Sequence, residues 1–371
     1  MSRATRLWIS ITTIVALGLL PVLAVTLVFV NVVRGGKVTD FENVFHVAAQ
    51  AVLDGENPYP SPDSEIVALG KAYVYPPLTA LAAVPTTLLS AQTAGILVMA
   101  LLYLVVAGTL AVLGIRDWRC YGVAFLWPPV ISAVQTGNIT LLLGLAAALT
   151  WRLRDSARGG GAALGASLAA KFILWPLGVW LAVTRRSAAL AYSFVIAAAL
   201  IVASWAVIAF AGVSDYVELL RRLQDIEREQ GYTAYALGLD LGLTPGAASA
   251  VWFAVAGASL AAVVFLARRG DERRAFVVAV GAALACSPIV WLHYFALLLV
   301  PVAVASPQLG VAWFVPLLMY GSTGTYNGTP LQTALTLVAA ALTIAAALSF
   351  TRPRSILALR RAHAVDVRES R

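Results

Sequence analysis

Residues 8–33, WISITTIVALGLLPVLAVTLVFVNVV, carry no charged side chain over 26 positions, and this run constrains the fold more than any other feature of the chain. It is long enough to cross the hydrocarbon layer of a bilayer, which is about 30 Å thick, with Pro21 as a tolerated kink. The apolar core of a cleaved signal peptide is shorter, about 7 to 15 residues, so the run is interpreted as a retained first helix. With 60% hydrophobic and 12% charged residues, the whole chain is predicted to be a polytopic membrane protein.

The basic residues are unevenly distributed along the chain. Nineteen of the 26 Lys and Arg residues fall in short clusters: Arg3 and Arg6, Arg116 and Arg119, 152–158, Arg185 and Arg186, 268–274, and 352–371. Loops rich in Lys and Arg stay in the cytoplasm, so these clusters and both termini are predicted to be cytoplasmic. The net charge of +8 is therefore attributed to membrane topology and not to nucleic-acid binding.

The acidic residues occupy other segments. Of the 18 Asp and Glu residues, six lie in 34–75 and six in 213–245, and these are the predicted outer loops, the first extending to about residue 91. The chain is interpreted as an all-α polytopic membrane protein with about 10–12 transmembrane helices and interfacial helices in the first outer loop. A single transmembrane domain is predicted over 1–351, followed by a basic cytoplasmic tail at 352–371.

Three segments of this domain are predicted to differ from simple crossings. Residues 76–90, PPLTALAAVPTTLLS, are too short and too rich in proline to span, and are predicted to form an interfacial or re-entrant helix on the outer side. Residues 160–170 and 172–184 are predicted to be half-helices that meet at Lys171. The glycines 159–161 are interpreted as a linker, and the Ala-rich helices suit close packing through small residues.

Several motifs of other enzyme classes are absent from the sequence. It has no DxD motif for a metal-bound nucleotide-sugar, no P-loop, no GxGxxG after a strand and no His/Cys ligand cluster. A soluble nucleotide-sugar donor is therefore not expected, and no cofactor, no metal ligand and no protein partner are predicted; metal dependence stays open. Cys120 and Cys286 are predicted to be reduced, buried and inert.

The stretch TDFENVFHVAAQAVLDG after the first apolar run predicts a short helix on the membrane surface. Thr39 and Glu42 match a capping box. Apolar residues recur on one face at Phe41, Phe45, Ala48 and Val52. Asp40 falls in the first turn, at the mouth of the bundle, where an acid either complements the helix dipole or takes part in chemistry.

Two ionisable residues lie within apolar runs. Lys171 is flanked by LGASLAA and FILWPLGVW, and His293 lies in WLHYFALLL. Such a lysine is usually functional or snorkels to the interface, and such a histidine is either a donor between helices or a site residue. His46 is a weaker candidate, on the polar face of the loop helix.

Aromatic residues are frequent near the predicted membrane surfaces. They include Tyr59, Tyr73, Tyr75, Trp127, Trp151, Trp175 and Trp180. Most of them are predicted to be interfacial anchors, and the alternative is that they line a substrate groove.

The order of several motifs resembles a known family. The motifs are DFENVFHVAAQAVLDGENPYP, YVYPPLTALAAVP, QTGN, the small-residue stretch that ends at Lys171, and SPIVWLHY at 287–294. Over roughly residues 5–350 the pattern resembles the actinobacterial membrane glycosyltransferases of the GT-C type, namely the polyprenyl-phosphate-mannose-dependent α-1,2-mannosyltransferases of glycosyltransferase family 87. The QTGN element departs from the pattern, because relatives more often have Gly-Gln before the Asn.

The resemblance implies a multi-pass plasma-membrane enzyme that transfers mannose from a polyprenyl-phosphate donor to a glycolipid or cell-envelope glycan on the outer face. Enzymes of this type carry an acid in the first outer loop, so Asp40 is expected to be the general base of an inverting transfer, with His293 as a second catalytic candidate. Five further residues are expected to bind the donor phosphate or substrate: Lys171, Tyr75, His46, Gln135 and Asn138.

Some alternatives stay open at this level. A helix N-terminus favours ionised Asp40 and burial favours the protonated acid, and the sequence leaves the balance undecided. The sugar is mannose or, as in a relative of this family, arabinofuranose, and the acceptor and linkage are undetermined. A lipid or solute transporter is the rival class, but the two related halves often seen in transporters are not visible here. A non-catalytic scaffold is the third alternative, and such a protein would not need Asp40, Lys171 or His293.

Overall fold

The computed structural model of the protein describes residues 3–323 and 328–350, and every regular element in these ranges is helical. The α-helices are Arg3–Ile14, Leu20–Val33, His46–Leu53, Glu65–Ala68, Pro77–Ala83, Ala91–Val112, Trp118–Phe125, Pro128–Thr136, Thr140–Arg152, Ala157–Ala170, Pro176–Val183, Ser187–Val207, Tyr216–Glu227, Ala234–Asp240, Pro245–Arg268, Glu272–Ala285, Leu299–Ala305, Val311–Phe314 and Pro330–Phe350. Val15–Leu19 and Phe41–Phe45 are π-helical, and Val84–Leu88, Phe172–Leu174, Leu292–Leu298 and Val315–Ser322 are 3₁₀-helical. The predicted tail at 352–371 lies outside the described residues.

Five of the described helices are long and apolar enough to cross a membrane. They are Ser10–Val33, Ala91–Val112, Ser187–Val207, Pro245–Arg268 and Pro330–Ser349. A sixth crossing is added if the pair Pro128–Thr136 and Thr140–Arg152, bent by 119°, counts as one span. The predicted class, an all-α polytopic membrane protein, is therefore confirmed.

The described residues contain five or six helices that could cross a membrane by length and composition, fewer than the predicted ten to twelve. Much of the difference falls on shorter apolar helices, namely Phe172–Val183, Leu292–Ala305 and Val311–Ser322. Each contains an internal proline, which cannot donate the hydrogen bond that continues an α-helix, and each is part 3₁₀-helical. The segment 76–90 accordingly forms a helix of 12 residues, below spanning length.

The first long helix shows how a proline is accommodated inside a span. Pro21 has no N–H to donate to the carbonyl of Leu17, and the helix widens into a π-turn at Val15–Leu19 just before it. The Leu17 carbonyl lies against Gly122, where an added Cβ would come within 1.9 Å of the oxygen. Gly122 therefore allows the helix Trp118–Phe125 to pack directly on the bend.

The glycines 159–161 are helical, so their interpretation as a linker is wrong. They lie inside Ala157–Ala170, which packs along Ser187–Val207. A Cβ at Gly161 or Gly165 would lie 2.6 Å from a backbone oxygen of that neighbour. The glycines are therefore needed for close approach of two helices, in agreement with the predicted packing through small residues.

The basic clusters of separate loops gather at one end of the bundle. Arg154 and Arg186 both pair with Glu272, at 2.8 Å and 2.9 Å, and Arg186 also pairs with Asp155 at 2.8 Å. We call this part of the molecule the basic end. In a separate basic loop Asp117 pairs with Arg119 at 2.8 Å.

The two acidic loops meet at the other end. The Tyr216 hydroxyl donates to the Val74 carbonyl at 2.9 Å, and the Tyr59 ring packs edge-on against the Tyr216 ring at 5.1 Å. Thr140–Arg152 begins next to Asn138 and ends at the basic end, which separates the two ends by about 20 Å at 1.5 Å per residue. We call this part the acidic-loop end.

The loop helix after residue 38 has the predicted buried face but a different cap. Phe41, Phe45 and Ala48 are buried, as predicted. The Glu42 carboxylate accepts from the backbone N–H of Val38 at 2.8 Å, one residue before the predicted N-cap. Thr39 is already helical and therefore cannot be the N-cap.

The interpretation of the aromatic residues as interfacial anchors is wrong for four of them. The side chains of Tyr59, Tyr73, Trp127 and Trp180 are buried. Their polar atoms are used inside the protein: the Trp127 indole donates to the Trp313 carbonyl at 2.8 Å, and the Tyr73 hydroxyl donates to the Pro76 carbonyl at 2.6 Å. An anchor needs its polar atom at the membrane surface, so these side chains stabilise the core instead.

Candidate functional site

A cavity of about 1040 Å³ opens at the acidic-loop end. Its walls come from both acidic loops, the turn at 135–138, the helix break at Lys171, and the segment 283–294. Six of the seven predicted site residues line it: Asp40, Tyr75, Gln135, Asn138, Lys171 and His293. Residues that are far apart in the sequence are thus brought to one place.

Asp40 lies at the start of the loop helix and faces this cavity. Its Oδ2 atom accepts a hydrogen bond from the Asn138 amide at 2.7 Å. Burial raises the pKa of this carboxyl above its usual value, and the Asn138 hydrogen bond and the nearby Lys171 charge oppose that shift. Burial is the largest of these influences, so the net effect is a carboxyl whose pKa lies above its usual value.

Asn138 is held in a defined orientation by the turn between two helices. Its Oδ1 atom accepts from the N–H and the hydroxyl of Thr140, at 3.0 Å and 2.7 Å, so its amide NH₂ points to Asp40. The preceding Gly137 has φ +70°, and a Cβ there would lie 2.6 Å from Phe41 and from Val38. The glycine therefore lets the turn approach the Asp40 loop closely enough for the hydrogen bond.

Lys171 lies in the break between two half-helices, as predicted. Its extended backbone (φ −161°, ψ 126°) ends the helix Ala157–Ala170. The ammonium donates to the hydroxyls of Tyr75, at 3.4 Å, and Tyr294, and it lies over both rings at 4.8 Å and 4.0 Å. Among the described residues no salt bridge within 4 Å joins Lys171 to an acid, so its positive charge is supported only by neutral groups at that distance.

His293 is buried in the cavity wall, with 6% of its surface exposed. Its ring lies 4.8 Å from that of Tyr294, the residue that holds Lys171. Its Nε2 atom is buried and makes no hydrogen bond to any described residue. An unsatisfied buried nitrogen is costly in a folded protein, which is a sign that a ligand belongs there.

The remaining predicted residues differ in their placement. Tyr75 contacts Lys171, and Gln135 is an exposed side chain on the cavity wall. His46 does not line the cavity: its Nδ1 atom lies 3.4 Å from the Thr86 hydroxyl and its ring packs 5.8 Å from Phe41. Cys286, predicted to be buried and inert, is half-buried and lines the cavity.

One acidic residue of the cavity is not among the predicted site residues. Glu227 ends the helix Tyr216–Glu227, is only 7% exposed, and hydrogen-bonds the Trp291 side chain. Burial raises the pKa of this carboxyl to about 7. No local signal distinguishes Glu227, because it is one of six acids in a polar loop and nothing in its sequence neighbours marks it as buried.

The fold and this cavity together define an integral membrane protein with a polar, charged site at one end of its helix bundle. Two acids and a lysine face the same space, and no described group of three His, Cys, Asp or Glu residues is placed to hold a metal ion. Such a set of groups can move a proton at a carboxylate and hold an anion at an ammonium.

The profile of glycosyltransferase family 87 matches residues 73–292, more than half of the chain, and the protein belongs to this family. It is therefore a membrane glycosyltransferase, and the resemblance found in its motifs is confirmed. The matched range contains Tyr75, Asn138, Lys171 and Glu227, while Asp40 lies before it and His293 directly after it. No curated protein and no solved structure gives a significant match.

Proposed function

We propose that the protein transfers a hexose, namely mannose, from a polyprenyl-phosphate donor to a glycolipid or cell-envelope glycan, with inversion at the anomeric carbon. The observation that carries this proposal is the pair formed by Asp40 and Lys171. They face one cavity within electrostatic range of each other, yet neither is neutralised by a salt bridge among the described residues.

Asp40 is suited to act as the general base. In its ionised form it takes the proton of an acceptor hydroxyl while the oxygen attacks the anomeric carbon. Burial, which raises the pKa of the carboxyl, makes it a stronger base than an exposed aspartate, and the Asn138 amide fixes the oxygen that is not needed for the proton.

Lys171 is suited to hold the leaving group. As the anomeric C–O bond breaks, the phosphate oxygen gains negative charge, and an ammonium with neutral partners can stabilise it. Two of its three N–H donors point to the hydroxyls of Tyr75 and Tyr294, which leaves one for a phosphate oxygen. In this proposal the unsatisfied Nε2 of His293, on the same wall, provides a further partner for the phosphate.

A polyprenyl carrier fits the surroundings of the cavity better than a soluble donor. The lining of the cavity includes the apolar side chains of Ile131, Phe172 and Leu292. Phe172, the residue after Lys171, has a side chain that is 63% exposed, on a protein whose long helices present apolar surface. A lipid chain can lie along such a surface while its phosphate reaches the ammonium.

The test is transfer by the purified protein in lipid. Polyprenyl-phosphate mannose and polyprenyl-phosphate arabinofuranose, each radiolabelled in the sugar, are supplied with a membrane extract as acceptor, with and without a chelator. Protein-dependent labelling of lipid or glycan from the mannose donor is expected. If only the arabinofuranose donor gives labelling, the transferred sugar is arabinofuranose and not mannose. If intact donor moves across vesicle membranes and no sugar is transferred, the protein is the rival class, a transporter.

The proposed orientation places the acidic-loop end outside the cell. In a variant without native cysteines, Glu56→Cys in the first acidic loop should react with an impermeant maleimide in intact cells, because the residue is exposed. Arg269→Cys at the basic end should react only after the membrane is opened. The reverse pattern would overturn the orientation.

A further inference from the structure

Glu227 is a buried acid in the cavity that the proposed transfer does not yet use. Its side chain is 7% exposed and lines the cavity together with Gln224 and Trp291. A buried carboxylate is costly unless its oxygens are used. The question is therefore which group the oxygens of Glu227 bind during the reaction.

The fold holds this carboxylate from two sides. The Trp291 side chain hydrogen-bonds it, and the backbone N–H of Tyr232 donates to the Val290 carbonyl at 2.7 Å, which ties the two segments together. On the other side Gly70 approaches so closely that a Cβ there would lie 2.4 Å from Oε1. The lack of a side chain at Gly70, in the first acidic loop, therefore leaves space for the Glu227 carboxylate.

The position of Glu227 relative to the two proposed reacting groups is informative. It lies within electrostatic range of both Asp40 and Lys171, but no salt bridge within 4 Å joins it to any described residue. In an inverting transfer the acceptor oxygen, the anomeric carbon and the leaving oxygen lie nearly in line between base and phosphate-binding cation. Because Glu227 lines the same cavity as Asp40 and Lys171, its carboxylate is placed to reach a sugar ring bound between them.

We propose that Glu227 binds a hydroxyl group of the sugar ring that is transferred, and that it thereby determines which sugar the enzyme accepts. This inference rests on the proposed transfer with Asp40 as base and Lys171 at the phosphate. Trp291 holds one part of the carboxylate, and the rest accepts a hydrogen bond from the ring hydroxyl. A site built around such a bond strongly rejects a sugar that lacks the hydroxyl, since the buried acid is then left without a partner.

The test compares donors within one enzyme preparation. Polyprenyl-phosphate mannose and its four monodeoxy analogues, at positions 2, 3, 4 and 6 of the sugar, are assayed with the wild-type protein, Glu227→Gln and Glu227→Ala. Glu229→Gln is the matched control, because Glu229 lies two residues further along the same loop and is exposed. Ratios of rates between donors do not depend on how much of a variant is folded.

For the wild type, one analogue should react about 10²-fold more slowly than the parent donor. Glu227→Ala should be slow on the parent donor and should discriminate against that analogue by less than about threefold, while Glu229→Gln keeps the wild-type ratio. If Glu227→Gln and Glu227→Ala both keep the wild-type ratio for every analogue, Glu227 does not bind the ring and the inference is wrong.

The inference and the proposed function fail in different ways. A wild-type protein that uses only the arabinofuranose donor contradicts mannose as the sugar, and the same ratios measured on deoxy-arabinofuranose donors then decide the role of Glu227. A wild-type protein that uses neither donor, in a preparation shown to be folded, overturns both.

Discussion

The two ends of the helix bundle treat charged side chains in opposite ways. At the basic end Arg154, Arg186 and Glu272 neutralise each other at distances of 2.8 to 2.9 Å. At the acidic-loop end Lys171 is held by two tyrosine hydroxyls and Asp40 by an amide. A charge that already has a counter-charge stabilises the fold, whereas a charge with neutral partners is kept available for a ligand.

Two aspartates show the same difference in their ionisation. The Arg119 side chain beside Asp117 lowers the pKa of that carboxyl to about 2, so it is a permanent anion at neutral pH. Burial raises the pKa of Asp40, which lies in the cavity with Asn138 as its hydrogen-bond partner. Asp117 is thus suited to hold a loop, and Asp40 is suited to exchange a proton.

The largest expected effect is that of Asp40→Asn. The amide keeps the shape of the side chain but cannot take up a proton, so turnover should fall by about 10²- to 10⁴-fold. Sugar transfer by the purified variant in lipid, at equal folded amounts, measures this. Asp63→Asn, an exposed acid of the same loop, is the control and should be unaffected. A loss of less than about tenfold would leave Asp40 only the role of complementing its helix.

Lys171→Met should lower kcat/KM for the donor by about 10²-fold, because the phosphate loses its cationic partner in the transition state. Methionine is similar in length and suits the two tyrosine rings, so folding should change little. Thermal unfolding in detergent checks the fold, and donor titrations check the activity. Lys37→Met, at an exposed lysine of the first acidic loop, is the matched control. Wild-type donor use by Lys171→Met would show that the ammonium does not contact the phosphate.

Asn138→Ala should have a smaller effect that depends on pH. In the wild-type protein the hydrogen bond from Asn138 lowers the pKa of Asp40. The variant lacks this bond, so the pKa of Asp40 rises further. Because the base acts in its ionised form, the acid limb of the pH–rate profile should move to higher pH, with about a tenfold loss on the acid side. In the double variant with Asp40→Asn the effect should vanish. An unshifted limb would mean that Asp40 is not the group seen in the profile.

Glu272→Gln tests the other end and should change activity least. Removal of this acid leaves Arg154 and Arg186 facing each other, which should cost on the order of 1–3 kcal/mol of stability because the pairs are only partly exposed. The unfolding temperature should fall by a few degrees, while turnover per folded molecule stays within about twofold of the wild type. A loss of turnover as large as that of Lys171→Met would contradict the division between the two ends.

The sequence is most informative where one residue changes the local free energy by a large amount. A charge in an apolar run is costly wherever the chain folds, so Lys171 and His293 stand out from hydropathy alone. The break at Lys171 and the close packing of the small-residue helix follow from local composition in the same way. Helix count is harder to predict, because whether a short proline-containing segment crosses depends on neighbours that supply its missing hydrogen bonds.

The sequence by itself determined that this is an all-helical membrane protein, with Asp40 in a polar loop and Lys171 between half-helices, because hydropathy and charge act along the chain. Only the tertiary structure decided that Asn138 holds Asp40, that His46 lies outside the cavity, and that Glu227 lies inside it. Hydrogen bonds between residues 98 positions apart, and burial of one acid among six similar ones, arise from helix packing that no local pattern encodes.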